Sequence, residues 1–97
     1  MKLRFLLAAN LELDEAVRYY EYQLPGLGFR FFQEISASIK LIMFMPSAWT
    51  KIGKRTRRCL IKGFPYALLY VNKADEIVIT ALAHLHRDPD HYKKRII

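Results

Sequence analysis

The first residues of the chain alternate between apolar and charged side chains. Leucine and phenylalanine occupy positions 3, 5 and 7, and Lys2 and Arg4 lie between them. An alternation with a period of two is typical of a strand that buries one face. The pattern predicts a first strand over residues 2–7.

Two segments with helical periodicity follow. The first has Asn10 as a candidate N-cap and Glu12 near the positive end of the helix dipole. Its apolar face is formed by Leu13, Ala16, Val17, Tyr20 and Leu24. Residues 25–28, Pro-Gly-Leu-Gly, break this helix and permit a tight reversal. The second helix, over about residues 29–44, has an apolar stripe of Phe32, Ile35, Ile39 and Ile42. The pair predicts a helical hairpin.

The periodicity changes after Pro46, where residues 47–54 form a short connector before three strands at about 57–62, 66–72 and 77–84. Short turns between these strands imply an antiparallel meander. The continuous apolar run 67–71 predicts a central strand, covered by the helices on one side and by a partner on the other. We therefore predict one α+β domain over residues 1–97. Its order is β-α-α-β-β-β, with the helical hairpin on one face of a small, mainly antiparallel sheet.

Charge is concentrated in the second half of the chain. The formal net charge is +7, but residues 1–48 contain five basic and five acidic side chains. No acidic residue lies between Glu34 and Asp75, whereas eight lysines and arginines do. A surface of one sign attracts polyanions or an acidic partner segment, and a solvated loop is the alternative reading.

Several features indicate a cytoplasmic protein without a membrane segment. Cys59 is the single cysteine, which excludes an internal disulfide and fits a reducing compartment. The apolar run near the N-terminus is shorter than the roughly 7–15 residues of a secretory signal. No run approaches the roughly 18 apolar residues of a membrane span.

The last third of the chain carries a family resemblance. It contains Phe-Pro-Tyr-Ala-Leu-Leu-Tyr at 64–70, an apolar strand at 77–82 and His-Leu-His-Arg-Asp-Pro at 84–89. Together with the tyrosine pair 19–20 and the break at 25–28, this series resembles the RelE/ParE superfamily of small bacterial toxins. The resemblance implies a type II toxin–antitoxin module with the same element order. Its antitoxin would wrap the basic, partly apolar face, and operator DNA would be contacted only through that antitoxin.

The superfamily contains ribosome-dependent mRNA endonucleases and inhibitors of DNA gyrase, so the target is the ribosome with its mRNA or gyrase. Cleavage needs a titratable group and cations in one cleft. The catalytic candidates, if the chain is a ribonuclease, are His84, His86, Arg87 and Tyr92. The candidates for target or phosphate binding are Arg57, Arg58, Lys62, Arg87 and Arg95. We expect Arg58 and Lys62 to share one strand face, and His84 and His86 to share another.

One departure from the family pattern favours the gyrase branch. Several ribonuclease members place an arginine just before the Leu-x-Tyr of the strand at 66–70, and this chain has Ala67 there. Loss of that charge would remove a contact to the scissile phosphate. The resemblance therefore favours a ParE-like toxin that acts by binding, with a RelE-like endonuclease as the alternative.

Other readings of the same residues remain open. Arg87, Asp88 and Pro89 would also serve simply to end a strand. No second cysteine accompanies the three histidines, and the nearby Asp88 and Asp90 lack a recognisable ligand spacing, so we predict no metal and no cofactor. Cys59 is expected to be a buried, inert thiol. A non-toxic interaction protein or RNA-binding module remains a further alternative, although no RNP-type strand or Gly-x-x-Gly loop is present.

Overall fold

The computed structural model describes all 97 residues. The elements in chain order are β1 Lys2–Phe5, α1 Leu7–Gln23, α2 Leu27–Phe44, β2 Thr50–Lys51, β3 Thr56–Leu60, β4 Tyr66–Lys73 and β5 Glu76–His84. Two 3₁₀ turns, Pro89–His91 and Lys93–Arg95, end the chain. The predicted order is confirmed with one addition, because the two-residue β2 lies within the segment that was predicted to be a connector.

The five strands form one sheet in the order β1-β5-β4-β3-β2. β1 runs parallel to β5, and the other neighbouring strands are antiparallel. The predicted central strand is β4, in which residues 66–71 are buried. The mainly antiparallel sheet of the prediction is therefore confirmed.

The helical hairpin covers one face of this sheet and encloses the main core. Aromatic rings connect the helical layer to the sheet. The ring centroids of Phe31 on α2 and Tyr66 on β4 lie 5.2 Å apart. Tyr20 of α1 lies 5.0 Å from Phe31. Further along β4, the buried Tyr70 donates a hydrogen bond to the carbonyl of Pro46, and burial raises the pKa of its hydroxyl to about 12.

The first helix begins earlier than the sequence indicated. Asn10 is not its N-cap, because the N–H of Asn10 already donates to the carbonyl of Leu6 at 3.0 Å. Leu6 is the extended residue that precedes the helix, and it makes no side-chain cap. The helix starts directly after β1 because this places Ala9 and Leu13 against the sheet. Glu12 consequently lies beyond the first turn and away from the N-terminal end of the dipole.

At the start of α2, the buried stripe begins one residue earlier than predicted. Phe31 is fully buried, whereas Phe32 is 47% exposed. Ile35 and Ile42 are buried as predicted. In α1, Leu24 ends the helix and is exposed rather than part of the apolar face. The predicted apolar stripes are wrong at the helix ends next to the reversal, because the way the two helices cross there determines which side chains contact the sheet.

The reversal between the helices depends on Gly26, whose φ of 91° lies in the left-handed region that favours glycine. The carboxylate of Glu21 accepts hydrogen bonds from the N–H groups of Gly26 and Gly28. A Cβ on Gly28 would lie 2.6 Å from the carbonyl oxygen of Val17. The glycine therefore permits α1 and α2 to approach closely.

The second face of the sheet is partly covered by the end of the chain itself. Ile52, Tyr92 and Ile96 pack against a small apolar cluster formed by Ala67, Leu69, Ala81 and Ala83. The carbonyl of Ile97 accepts hydrogen bonds from the N–H groups of Arg55 at 2.7 Å and Thr56 at 2.8 Å. The sequence prediction left this face to a partner, whereas the last residues of the chain occupy part of it.

Candidate functional site

A groove lies along an open edge of β5. β1 pairs with β5 only from Glu76 to Ile79, so the remainder of that edge has no neighbouring strand. A cavity of about 380 Å³ opens there between α1, the end of β5 and the C-terminal turns. Its polar and aromatic lining includes Glu12, Glu15, Arg18, Tyr19, Tyr22, Tyr66, His84, Arg87, His91 and Tyr92.

Side chains take the place of the missing strand at this edge. Glu12 accepts a hydrogen bond from the backbone N–H of Leu82 at 3.1 Å. Arg95 donates to the carbonyl of Thr80 at 2.9 Å and to the Glu12 carboxylate at 2.7 Å. His91 Nε2 lies 3.3 Å from the same carboxylate. The N–H of Leu82 and the carbonyl of Thr80 are thus satisfied within the chain, and Arg95 is occupied in an ion pair.

A β-bulge in β5 determines which of its side chains face the groove. Leu69 pairs with Ala81 and Tyr70 pairs with Ile79, so Thr80 has no register partner on β4, and its hydroxyl donates instead to the carbonyl of Leu69 at 3.3 Å. Ile77 and Ile79 belong to the core below the helices, and after the bulge Leu82 continues that face. His84 follows Leu82 by two residues and therefore points to the same side. Without the extra residue, Ala81 and Ala83 would have taken these positions.

His84 is a titratable side chain of the groove, and its surroundings alter its pKa. Its ring lies 4.8 Å from the ring of Tyr66 and 5.6 Å from that of His86. Burial lowers its pKa, and the neighbouring Arg87 and His86 lower it further. His84 Nδ1 accepts a hydrogen bond from the backbone N–H of His86 at 3.1 Å. The neutral ring therefore carries its proton on Nε2.

The expectation that His84 and His86 share one strand face is wrong. β5 ends at His84, and the chain turns so that the N–H of Arg87 donates to the carbonyl of His84 at 3.2 Å. At this turn the N–H of Leu85 donates to the carbonyl of Pro65 at 2.9 Å, so the chain passes across the end of β4. The two imidazoles are neighbours through this turn, but only His84 lines the groove.

The structure brings together some of the predicted site residues and separates others. His84, Arg87 and Tyr92 line the groove. Arg57 lies at the opposite edge of the sheet, where its guanidinium donates to the carbonyl of Trp49 at 2.7 Å. Arg58 pairs with Leu69 on the face away from the helices. Lys62 follows the end of β3 in an exposed turn, so the expectation that it shares a strand face with Arg58 is wrong.

Seven polar or aromatic side chains that line the groove were not among the sequence candidates: Glu12, Glu15, Tyr19, Tyr22, Tyr66, Arg18 and His91. The first four recur along α1 at intervals of three and four residues, which places them on one face. This polar and aromatic stripe lies beside the apolar stripe and was a detectable signal. Tyr66 is 6% exposed, and burial is the main cause that raises its pKa.

The groove combines titratable, cationic and phenolic side chains. Two imidazoles, two guanidinium groups and several phenols face one space, and the Glu12 carboxylate is already paired. No cluster of three or more His, Cys, Asp or Glu side chains is arranged to hold a metal ion. No helix is long and apolar enough to cross a membrane.

Comparison with known proteins supports the fold. No protein-family model matches the chain, and no curated protein matches it. Among solved structures, the chain is similar to one chain of the "Chromosomal ParDE TA system from P. aeruginosa", with a TM-score of 0.77 and 18% sequence identity. The match covers 89% of this chain and 97% of that chain. The fold is therefore the ParE-like fold that the sequence resemblance predicted.

Proposed function

We propose that the protein is the toxin of a type II toxin–antitoxin pair, which arrests growth when its antitoxin is absent. The observation that carries this proposal is the fold, which matches nearly the full length of a chain from a ParDE toxin–antitoxin system. The motif series at 64–70 and 84–89 supports it independently, since it is a property of the amino-acid sequence and not of the fold. This role belongs in the cytoplasm, where gyrase and ribosomes are found.

The surface has the properties that an antitoxin would need. The outer side of the helical layer exposes large apolar side chains, among them Leu7, Leu11, Tyr22, Phe29, Phe32, Leu41 and Phe44. The second half of the chain carries the whole excess of positive charge. An acidic segment with apolar anchors would gain from both features when it folds on this surface.

Ala67 supports the ParE-like, gyrase-inhibiting branch. Its side chain is fully buried in the small cluster on the second face of the sheet, where Tyr92 and Ile96 pack. A phosphate contact at this position would require both a cationic side chain and an open face, and the chain has neither there. Inhibition by binding needs no cleavage site.

The RelE-like alternative is supported by the groove. His84 is neutral near pH 7 and would take up a proton at Nδ1 once the N–H of His86 leaves that atom, and Arg87 lines the same space for a phosphate. Tyr92 supplies a further proton donor at the rim. If the protein cleaves mRNA, these three side chains would carry the reaction.

Pulse-labelling of protein and DNA synthesis after induction of the chain alone in a bacterial host tests the proposal. Early loss of DNA synthesis, with translation continuing, is the result expected for a gyrase inhibitor. Early loss of protein synthesis would favour mRNA cleavage and overturn the gyrase assignment. Growth that is unaffected by induction of the folded protein would overturn the toxin proposal.

Replacement of the groove residues gives a second test. His84→Ala combined with Arg87→Ala is expected to relieve growth arrest while the circular dichroism spectrum remains that of the wild type. Lys73→Ala, at the exposed cation that ends β4, is the control and should remain toxic. Unchanged toxicity of the double variant would remove both residues from the site.

A further inference from the structure

A second, smaller cleft lies at the edge of the sheet formed by β2 and β3. It has a volume of about 190 Å³ and is lined by Lys51, Lys54, Arg55, Arg57 and Asn72. All five side chains are polar, and four of them are cationic. None of them lines the groove at β5, which lies at the other edge of the sheet.

The cations of this cleft have no acidic partner. The ion pairs of the molecule join Glu76 to Arg4 and Glu12 to His91 and Arg95, and none of them reaches the cleft. The sequence itself contains no aspartate or glutamate from residue 35 to residue 74. No carboxylate side chain therefore pairs with these cations, and the oxygen of Ile97 binds the backbone N–H of Arg55 and not its guanidinium.

The pairing of β2 with β3 places two of these cations in direct opposition. Lys51 is the register partner of Arg57 across the antiparallel pair. Like charges at directly opposed positions destabilise a sheet. The guanidinium of Arg57 is held in place by its bond to the carbonyl of Trp49, at 2.7 Å. An anion bound between the two cations would offset this repulsion.

We propose that the cleft binds phosphate groups, and that its source of phosphate is the backbone of a single-stranded nucleic acid. Guanidinium and ammonium groups together are the usual partners of phosphate oxygens. The lining contains no apolar side chain on which a base would stack, so the cleft contacts the charge of the strand and does not read its sequence. This inference does not depend on the toxin proposal, because it rests on a different edge of the sheet.

Binding of a fluorescein-labelled 12-nucleotide oligouridylate, followed by anisotropy over a range of salt concentrations, tests the proposal. The test variant is Lys51→Ala combined with Lys54→Ala. The control, Lys93→Ala combined with Lys94→Ala, removes the same charge from exposed positions outside the cleft. In the test variant the slope of log K against log salt should become shallower by about 1.4, since each phosphate contact on a single strand contributes about 0.7. The control should keep most of the wild-type slope.

A thermal melt distinguishes the strand from free phosphate as the source. Inorganic phosphate and uridine monophosphate are compared with chloride at equal ionic strength. If the strand is the source, low millimolar concentrations of either compound leave the melting temperature unchanged and do not displace the oligouridylate. If either compound raises the melting temperature of the wild type but not of the test variant, the cleft is a site for small phosphates and the strand assignment is overturned.

Two other results would overturn the inference. Equal changes of slope in the test variant and in the control would show that net charge, and not this cleft, determines binding. Tighter binding of a labelled oligoglutamate than of the oligouridylate, lost in the test variant alone, would assign the cleft to an acidic protein segment. Absence of oligouridylate binding by the wild type at low salt has the same consequence for the proposal.

Discussion

The carboxylate of Glu12 and the guanidinium of Arg95 lie 2.7 Å apart, although 83 positions separate them in the chain. The two side chains are only 13% and 19% exposed. They satisfy the N–H of Leu82 and the carbonyl of Thr80 at the part of β5 that β1 does not reach. The pair therefore fastens the C-terminal segment to α1 and protects an unpaired sheet edge at the same time.

Removal of Arg95 should be markedly destabilising. Arg95→Met keeps the aliphatic stem but leaves the shielded Glu12 carboxylate and the Thr80 carbonyl without their main partner. Such a loss costs about 2–4 kcal/mol of unfolding free energy. Denaturation by urea, monitored by circular dichroism, measures this quantity. Arg18→Met, at an exposed arginine in the same groove, should change it by no more than about 0.5 kcal/mol.

A double-mutant cycle separates the interaction energy between Glu12 and Arg95 from the contributions of the two individual side chains. Glu12→Gln removes the charge that would be left uncompensated in Arg95→Met. The double variant is therefore expected to lose less stability than the sum of the two single variants. Strict additivity would contradict the direct interaction seen between the two side chains.

The core of α2 offers a matched comparison of neighbouring phenylalanines. Phe31 is fully buried against Tyr20 and Tyr66, whereas Phe32 is 47% exposed. Phe31→Ala should cost about 3–5 kcal/mol of unfolding free energy, and Phe32→Ala should cost well under 1 kcal/mol. Urea denaturation of both variants decides the assignment. A larger loss for Phe32→Ala than for Phe31→Ala would indicate that the stripe begins at Phe32, as the sequence alone indicated.

The sequence was sufficient to predict the order of elements because periodicity, breakers and turns are local signals. The alternation at residues 2–5, the break at 25–28 and the apolar run of β4 each identified an element. Local signals do not determine how far a strand pairs. β1 stops at Phe5 because α1 begins two residues later, and this early stop creates the open edge on which the groove lies.

The candidate site was predictable only in part, and the bulge at Thr80 shows why. A strict period of two places His84 on the face opposite to Ile77 and Ile79, whereas the extra residue returns it to their side. Register irregularities of this kind arise from pairing between strands and have no counterpart in the local sequence. The same holds for Arg95, a target-binding candidate from the sequence, whose partner on α1 is set by tertiary contact.

The glycine at position 53 controls the docking of the C-terminal residues. A Cβ there would lie 2.7 Å from the carbonyl oxygen of Ile97 and 2.8 Å from the Cγ2 of Ile96. Gly53→Ala should therefore loosen the bonds from the N–H groups of Arg55 and Thr56 to Ile97. Hydrogen exchange of these two amides, measured by NMR, is expected to accelerate while amides of β4 remain protected. Unchanged protection of both would show that the segment adjusts to the methyl group.

The pH dependence of stability should contain a contribution from His84. Burial lowers the pKa of His84 in the folded protein below the ordinary value of about 6.5, and the charges of the neighbouring Arg87 and His86 lower it further. The unfolded chain therefore binds a proton at His84 more readily than the folded chain does. Stability from this residue is complete above about pH 6.5 and declines as the pH falls through the lowered folded pKa.

Comparison of the wild type with His84→Gln isolates that contribution from those of the other titratable groups. The unfolding free energy, measured by urea denaturation at pH 7.5 and 5.5, should fall more on acidification in the wild type than in the variant. An NMR titration of the His84 ring should give a pKa below that of a model histidine, and Arg87→Gln should raise it because a neighbouring positive charge is removed. A titration at or above the ordinary value would mean that the imidazole is more hydrated than the groove indicates.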